Sequence, residues 1–262
     1  VFPLSWNLDH VGPLTKCVKD AALILQVISI YDPLDPASIN MITGDYLGHL
    51  LDEIEGTRIA LGVGEYIDGA DPDGFRKPFA ALVLSEVART DRVQPWMTAD
   101  ERLRMAATAA AYLSSVRDYR GYVDGEGWRH GVAHGADWAL QLVLNEALSP
   151  SQVMGLLAAV GDQVAPTDGH AYTFGEPGRL ARPVAYAAAR GDLDHAAVDG
   201  WLDGLVAGLG PRPEGAAQAR WWVRRSNLEA FLHALGFMAR GDQSPALAAL
   251  SASVDTSMQA MP

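Results

Sequence analysis

The sequence predicts a mainly α-helical protein, in which a helical-repeat domain of the HEAT or armadillo kind follows a small mixed α/β fragment. From about residue 75 onward the chain is rich in Ala and Leu, and its apolar residues recur at helical spacing with few strand signals. Successive helical patterns are joined by short connectors, which is typical of α-solenoids, although no strict sequence period accompanies them. The first 73 residues instead combine one helical pattern with a β-like run. We therefore predict two domains, residues 1–73 and 74–262.

Composition and charge exclude several classes of partner. The 262 residues carry a formal net charge of −12, which disfavours nucleic acid and anionic membrane surfaces because both require a basic face. The single cysteine, Cys17, forms no internal disulfide, so we expect a reducing compartment and a cytoplasmic location. The apolar runs are shorter than the roughly 20 residues of a membrane span, and the N-terminus lacks a signal-peptide pattern.

The first domain is predicted to contain a helix over 15–30, capped by Thr15, a proline-rich turn over 31–36 and a strand over 58–63. A single strand does not form a stable sheet. An apolar fragment of this size exposes an apolar surface that is prone to association unless another part of a protein covers it. We therefore predict that it docks on the helical domain or on a second copy, which gives a homodimer through the N-terminal fragment.

Four segments of this first domain resemble the amidase signature family: VFPLSWNLDHVGPLT at 1–15, VKDAAL at 18–23, YDPLDP at 31–36 and GTRIA at 56–60. In that family a Ser–Ser–Lys triad on a Gly/Ser-rich stretch, upstream of these segments, performs the chemistry. This chain contains neither that stretch nor the corresponding lysine. The resemblance therefore implies an amidase-like fragment without its nucleophile. Cys17 is interpreted as a small buried apolar residue rather than a substitute nucleophile.

The second domain is predicted to be built from eight helices, several of them bounded by capping residues or glycines. Thr98 is expected to cap one helix, and Ser149 followed by Pro150 to begin another. The predicted helices lie near 79–90, 98–117, 129–148, 150–165, 177–190, 194–208, 214–239 and 243–257.

Segments of the second domain resemble a bacterial family known as domain of unknown function 2785. They are FAALVL at 79–84, RDYRGY at 117–122, GWRHGVAHGAD at 127–137 and GRLA at 178–181, and the resemblance extends over about residues 75–260. It implies an all-helical, repeat-like fold and no established activity. The chain is thus interpreted as a fusion of two truncated families.

The GWRHGVAHGAD segment carries the strongest candidate for chemistry. On a helix, His130, His134 and Asp137 are four and three residues apart and share one face. Two imidazoles and a carboxylate at this spacing could bind a divalent metal such as zinc. The alternative is that these side chains form a structural network between helices.

Neighbouring residues complete the predicted site. Asp118, Glu176 and Arg120 are the predicted catalytic residues, because a carboxylate could accept a proton from metal-bound water and a guanidinium could hold an anionic group. The predicted substrate-binding residues are Tyr122, Trp128, Arg129 and Arg179.

These residues predict a metal-assisted hydrolase of a small ester, amide or phosphoester. One alternative is a non-catalytic α-solenoid scaffold that binds a protein or peptide on its concave face. A second alternative is residual amidase-type hydrolysis. In each case the partner is a small-molecule substrate or a protein, without nucleic acid or membrane.

Overall fold

The computed structural model describes residues 15, 17–33, 44–48, 67, 70–241 and 244–262. Contacts divide the chain into two compact units, residues 1–61 and 62–262, whereas composition placed the change of character at Gly74. Within the described ranges the protein is mainly helical. No described helix is both long and apolar enough to cross a bilayer.

The first unit contains helix α1, Val18–Ile28. The predicted cap is wrong: Cys17 is the N-cap residue, and the Thr15 hydroxyl donates instead to the Cys17 carbonyl at 2.8 Å. Cys17 is exposed, so the expectation that it is buried is also wrong. The side chain of Gln26 accepts from the Tyr46 N–H at 2.8 Å and donates to the Gly44 carbonyl at 3.2 Å, which ties the helix to residues 44–48. The predicted strand over 58–63 lies outside the described residues.

The second unit contains the remaining described elements. In chain order these are α2 (Arg76–Val93), α3 (Ala99–Ser115), β1 (Tyr122–Val123), β2 (Gly127–Trp128), α4 (Gly131–Val143), α5 (Pro150–Val164), α6 (Glu176–Ala189), α7 (His195–Ala207), α8 (Ala217–Arg240) and α9 (Pro245–Ala260).

The predicted caps of two helices are confirmed. Thr98 and Glu101 form a capping box at the start of α3, and Ser149 and Gln152 form another at the start of α5, where Pro150 occupies the first turn. Each box satisfies backbone N–H groups that have no partner within the helix.

Helices two apart in the chain pack against each other: α2 on α4, α4 on α6, α6 on α8, and α3 on α5. Contacts at both ends show that α2 and α4 run parallel. Phe79 near the start of α2 touches His134 near the start of α4, and Asp91 near the end of α2 accepts a hydrogen bond from Asn145 just beyond α4. The parallel arrangement brings the N-terminal ends of these helices to one side of the unit.

The core between these helices is apolar and continuous, with Trp138 and Phe231 as its largest fully buried side chains. Gly135 allows α3 and α4 to approach closely, because a Cβ there would lie 2.7 Å from Leu113 and 3.0 Å from Tyr112. Burial of this core supplies the main driving force for folding.

A two-stranded antiparallel hairpin interrupts the helices, and it is not among the elements predicted from the sequence. Tyr122 pairs with Trp128, and Val123 pairs with Gly127. The turn contains Gly125 with a φ of 77°. Aromatic and β-branched residues on either side of an Asp-Gly pair are a recognised hairpin signal, so the sequence did contain the information.

Candidate functional site

His130 does not lie on helix α4. It adopts the left-handed conformation, with φ 58° and ψ 34°, and serves as the N-cap of a helix that begins at Gly131. The predicted helix over 129–148 is therefore too long at its start. Among the described residues, His130 is the only non-glycine residue with a positive φ. This conformation costs a residue with a Cβ about 1 kcal/mol or more.

His134 lies in the first turn of α4 and is buried. Its Nδ1–H donates to the Pro78 carbonyl at 3.0 Å, because a carbonyl only accepts. Nε2 of the neutral ring is therefore unprotonated. Burial lowers the pKa of His134 to about 4, against the opposing effect of the Pro78 hydrogen bond, and the nearby His130 and Arg179 lower it further. The ring is neutral at pH 7.

Asp137 is occupied by an arginine. Its two carboxylate oxygens accept from Nε and Nη2 of Arg179 on α6, with the Nε contact at 2.8 Å. This bidentate pair joins α4 to α6. Among the described residues no group of three or more His, Cys, Asp and Glu side chains is arranged to hold a metal ion. The structure thus does not gather His130, His134 and Asp137 into the predicted ligand set, because His130 leaves the helix and Asp137 turns to Arg179.

The predicted catalytic residues are divided between two places. Asp118 and Arg120 form a bidentate ion pair in the loop after α3, and this hydrogen bond lowers the pKa of Asp118. Glu176 begins α6, where it is only 3% exposed and accepts from the backbone N–H of Phe174 at 3.0 Å. No described hydrogen bond or ion pair links the two carboxylates.

Asp118 lines a cleft of about 190 Å³ between the start of α2 and the end of α3. Lys77 and Arg117 lie on its wall together with Asp71 and Tyr112. Asp71 caps the start of α2 by accepting from the backbone N–H groups of Arg76 and Lys77. Both carboxylates of the cleft therefore already have internal partners.

Arg129, a predicted substrate-binding residue, is only 3% exposed and holds the hairpin in place. Its Nε donates to the Asp73 carbonyl at 3.0 Å, it pairs with Glu126, and its guanidinium carbon lies 4.2 Å above the ring of Phe75. These contacts give it a structural role, and substrate binding by Arg129 stays a prediction. Arg179 is likewise engaged by Asp137.

Aromatic rings form a continuous feature on the N-terminal side of α2, α4 and α6. Neighbouring ring centroids are 4.3–5.7 Å apart from α2 through α4 and the hairpin to the loop before α6. We call this feature the aromatic strip, and it comprises Phe79, His134, His130, Trp128, Tyr122 and Phe174.

Four rings of the strip are substantially exposed: 44% for Phe79, 46% for Tyr122, 45% for Trp128 and 42% for Phe174. His130 stacks on Trp128, with 4.3 Å between ring centroids and 12° between planes. Gly121 leaves room for Phe174, because a Cβ there would lie 2.1 Å from its ring. The sequence pattern singled out Tyr122 and Trp128 but not Phe79 and Phe174, which come from distant segments.

His130 connects this surface to the interior. Its Nδ1 is buried and has no hydrogen-bond partner among the described residues. Burial lowers the pKa of the ring, the positive charge of Arg179 lowers it further, and the negative charge of Glu176 opposes both. A strained backbone and an unpartnered ring nitrogen at one residue are typical of a functional position.

Comparison with known proteins gives two separate similarities. One subunit of the glutamyl-tRNA(Gln) amidotransferase of Geobacter sp. (strain M21) is 41% identical over 84 residues, which are 32% of this chain and 17% of that protein. An amidase of Pseudomonas putida is 34% identical over 105 residues, which are 36% of this chain and 22% of that protein. The chain thus spans about a fifth of the length of these curated relatives. No solved structure matches.

The family model described as "Protein of unknown function (DUF2785)" matches residues 66–237, which is more than half of the chain and includes every residue of the aromatic strip. The amidase-like similarity and this match together confirm that the chain fuses an amidase-like fragment to a DUF2785 region. The chain belongs to the DUF2785 family.

Proposed function

We propose that the helical region is a non-catalytic scaffold that binds a protein or peptide on the aromatic strip. The observation that carries the proposal is the set of four exposed rings, of which Tyr122 and Phe174 contact Trp128 and Phe79 is linked to them through the two histidines. Aromatic side chains with large exposed area and few rotatable bonds are the usual anchors of protein and peptide interfaces. Exposed apolar clusters of this kind mark interaction sites more often than isolated exposed residues do.

The state of the polar groups supports binding over catalysis. Asp118 and Asp137 are each paired with an arginine. A general base must be free to accept a proton from substrate or water. Asp118 and Asp137 are instead used to hold the loop and to join the helices.

We infer further that the helices form an α-solenoid of the HEAT or armadillo kind. The packing of helices two apart, and the parallel course of α2 and α4, support this arrangement. In such folds one row of helix ends or faces presents an extended binding surface. The strip runs across the starts of α2, α4 and α6, which suits an extended peptide.

Selection of peptides from a displayed random library tests this function. Peptides enriched on the wild-type protein are expected to bind the double variant Trp128→Ala/Tyr122→Ala about tenfold or more weakly, since loss of a central aromatic anchor costs about 1.4 kcal/mol or more. Phe237→Ala is the matched control, because it removes a ring that is 81% exposed and lies outside the strip.

Two outcomes would argue against the proposal. Failure of the library to yield any binder is one, and equal binding by the wild type and the double variant is the other. Circular dichroism of each variant checks that lost binding does not reflect unfolding.

Amidase-type hydrolysis is the second candidate, favoured by the similarity to an amidotransferase of Geobacter and to an amidase of Pseudomonas. Under this proposal the purified chain releases ammonia from small primary amides. A rate equal to that of heat-denatured protein would count against it, as would failure of a serine-directed covalent probe to label the chain.

Metal-assisted hydrolysis has less support, because the predicted ligand Asp137 already forms an ion pair with Arg179. Zinc binding to the native state would raise the melting temperature, since any ligand that prefers the folded form stabilises it. Under the binding proposal, zinc and a chelator leave the melting temperature unchanged.

A further inference from the structure

We propose that the corner formed by Tyr122, Trp128 and Phe174 captures a cation, namely the ammonium group of a lysine side chain, free or N-methylated, in a basic peptide. The inference rests on the proposed peptide-binding function and specifies the chemistry of its ligand. It draws on the angles between the three rings, the charges around them and the state of the two histidines behind them.

Ring geometry is the first argument. One face of Trp128 is covered by His130, and the two other rings stand steeply against it. The Tyr122 centroid lies 5.2 Å from that of Trp128 at 60° between planes, and the Phe174 centroid lies 5.5 Å away at 84°. All three rings also keep a large exposed area, between 42% and 46%. Aromatic faces carry partial negative charge and attract an ammonium within about 6 Å, and tryptophan does so most strongly.

A buried carboxylate is the second argument. Glu176 is only 3% exposed, has no cationic partner among the described residues, and accepts a single hydrogen bond, from the N–H of Phe174. Burying a carboxylate without a counter-charge is costly, and the N-terminal position on α6 offsets only part of that cost. The negative charge is therefore held directly beside one ring of the corner.

Two of the arginines near the corner are paired with carboxylates, and one further carboxylate is not paired. Arg129 is neutralised by Glu126, and Arg179 is neutralised by Asp137. Asp124 lies in the hairpin turn, two residues after Tyr122, is exposed, and forms no ion pair among the described residues. A positively charged ligand thus meets two carboxylates, Glu176 and Asp124, that form no ion pair among the described residues. The net charge of −12 adds long-range attraction for a basic peptide.

The histidines behind Trp128 remain neutral and do not oppose a cation. His130 stacks on the covered face of Trp128, and burial lowers the pKa of both His130 and His134. A protonated imidazole in that position would itself occupy the electron-rich face of the indole. The neutral ring leaves the π system of Trp128 available to the ligand.

Nuclear magnetic resonance titration of the full chain tests the inference. The probes are short Gly/Ser peptides that differ only in one central residue, which is lysine, trimethyllysine or acetyllysine, and the readout is the indole N–H signal of Trp128. Acetyllysine is neutral and keeps the length of the side chain. We expect saturable shifts with lysine and trimethyllysine, and affinity for acetyllysine that is weaker by about tenfold or more.

Two matched variants separate charge from packing. Glu176→Gln keeps an oxygen to accept the Phe174 N–H and removes the charge, so it is expected to weaken only the two cationic peptides, by about threefold or more. Glu146→Gln makes the same charge change just beyond the far end of α4, about 20 Å along the helix axis, and is expected to leave affinity unchanged.

The outcomes distinguish this inference from the function on which it rests. Library-selected peptides that bind through Trp128, while lysine and acetyllysine peptides bind alike, would overturn the cation and leave peptide binding in place. Absence of any Trp128-dependent binding, by selected or lysine peptides, would overturn both. Tetramethylammonium that binds as tightly as the trimethyllysine peptide would overturn the peptide as occupant and identify a small quaternary ammonium instead.

Discussion

The two ends of the parallel helix pair α2 and α4 are built on opposite principles. At the C-terminal end, Asp91 is only 1% exposed and accepts five hydrogen bonds: two from Arg102, and one each from the N–H groups of Trp96 and Met97 and the amide of Asn145. At the N-terminal end, His130 is strained, its Nδ1 has no described partner, and aromatic rings face solvent.

The C-terminal end of the helix pair thus contributes stability, and the N-terminal end carries the candidate binding surface. A buried charge with every acceptor position used fixes the register between helices, and removing one partner exposes the others to desolvation without compensation. A strained residue beside unpartnered polar atoms lowers stability and persists where binding benefits from it. Four predictions, given from the largest expected effect to the smallest, test this division.

Replacing Asp91 with Ala is expected to have the largest effect, a loss of about 3–5 kcal/mol in the free energy of unfolding, because Arg102, Asn145 and two backbone N–H groups lose their acceptor. Urea unfolding followed by circular dichroism measures it. Glu146→Ala, an exposed carboxylate near the same helix end, is the control and is expected to change stability by less than about 0.5 kcal/mol. A loss below about 1 kcal/mol for Asp91→Ala would remove the basis of the comparison.

Acid is expected to destabilise the two ends in different pH ranges. The pKa of His134 falls from 6.5 to about 4 on folding, so below pH 6.5 the unfolded chain binds a proton that the folded chain does not. Stability is therefore full above pH 6.5 and decreases by about 3 kcal/mol as the pH falls to 4, because each pH unit between the two pKa values corresponds to about 1.4 kcal/mol. The lowered pKa of His130 acts in the same direction.

Asp91 acts in a lower range. Burial alone would raise its pKa, but the hydrogen bonds from Arg102, Met97, Trp96 and Asn145 outweigh burial and lower the pKa from 3.8 to about 2. Its stabilisation is present above pH 4 and is lost as the pH falls toward 2. Urea unfolding at a series of pH values separates the two. His134→Gln is expected to flatten the curve only between pH 6.5 and 4, and an unchanged curve would show that the imidazole charges freely in the folded state.

The pair that joins α4 to α6 is expected to contribute less. Asp137 and Arg179 form two hydrogen bonds, yet their side chains are 17% and 33% exposed, so solvent screens the attraction. A double-mutant cycle of Asp137→Ala and Arg179→Ala is expected to give a coupling of about 1 kcal/mol. A coupling near zero would mean that hydrophobic contacts alone hold these helices in register.

His130→Gly is expected to have the smallest effect on stability and the opposite sign. Glycine adopts φ 58° without steric cost, so the free energy of unfolding is expected to rise by up to about 1 kcal/mol, reduced by the lost stacking on Trp128. Peptide binding is expected to weaken in the same variant because Trp128 loses its support. Destabilisation by more than about 1 kcal/mol would instead assign His130 to the structural group with Asp91.

The helical region could largely be predicted from sequence because its signals are local. Two helix starts are marked by capping boxes, whose hydrogen bonds join residues three apart: Thr98 with Glu101, and Ser149 with Gln152. The site could be predicted only in part. The sequence predicts Trp128 and Tyr122 as binding residues. It also predicts His130 on the helix, because periodicity cannot reveal that the residue after the hairpin adopts the left-handed conformation.

The amino-acid sequence is enough to predict the mainly helical class, the family segments, and the residues that have the chemical character to bind a ligand. How those residues are used depends on the packing of the helices. Arg179 on α6 forms an ion pair with Asp137, and the Pro78 carbonyl accepts a hydrogen bond from His134. Phe79 and Phe174 meet the hairpin rings from segments far apart in the chain. The physical reason is that caps and periodicity act within a few residues, whereas pairing of charges and contact between rings depend on which helix ends the packing brings together.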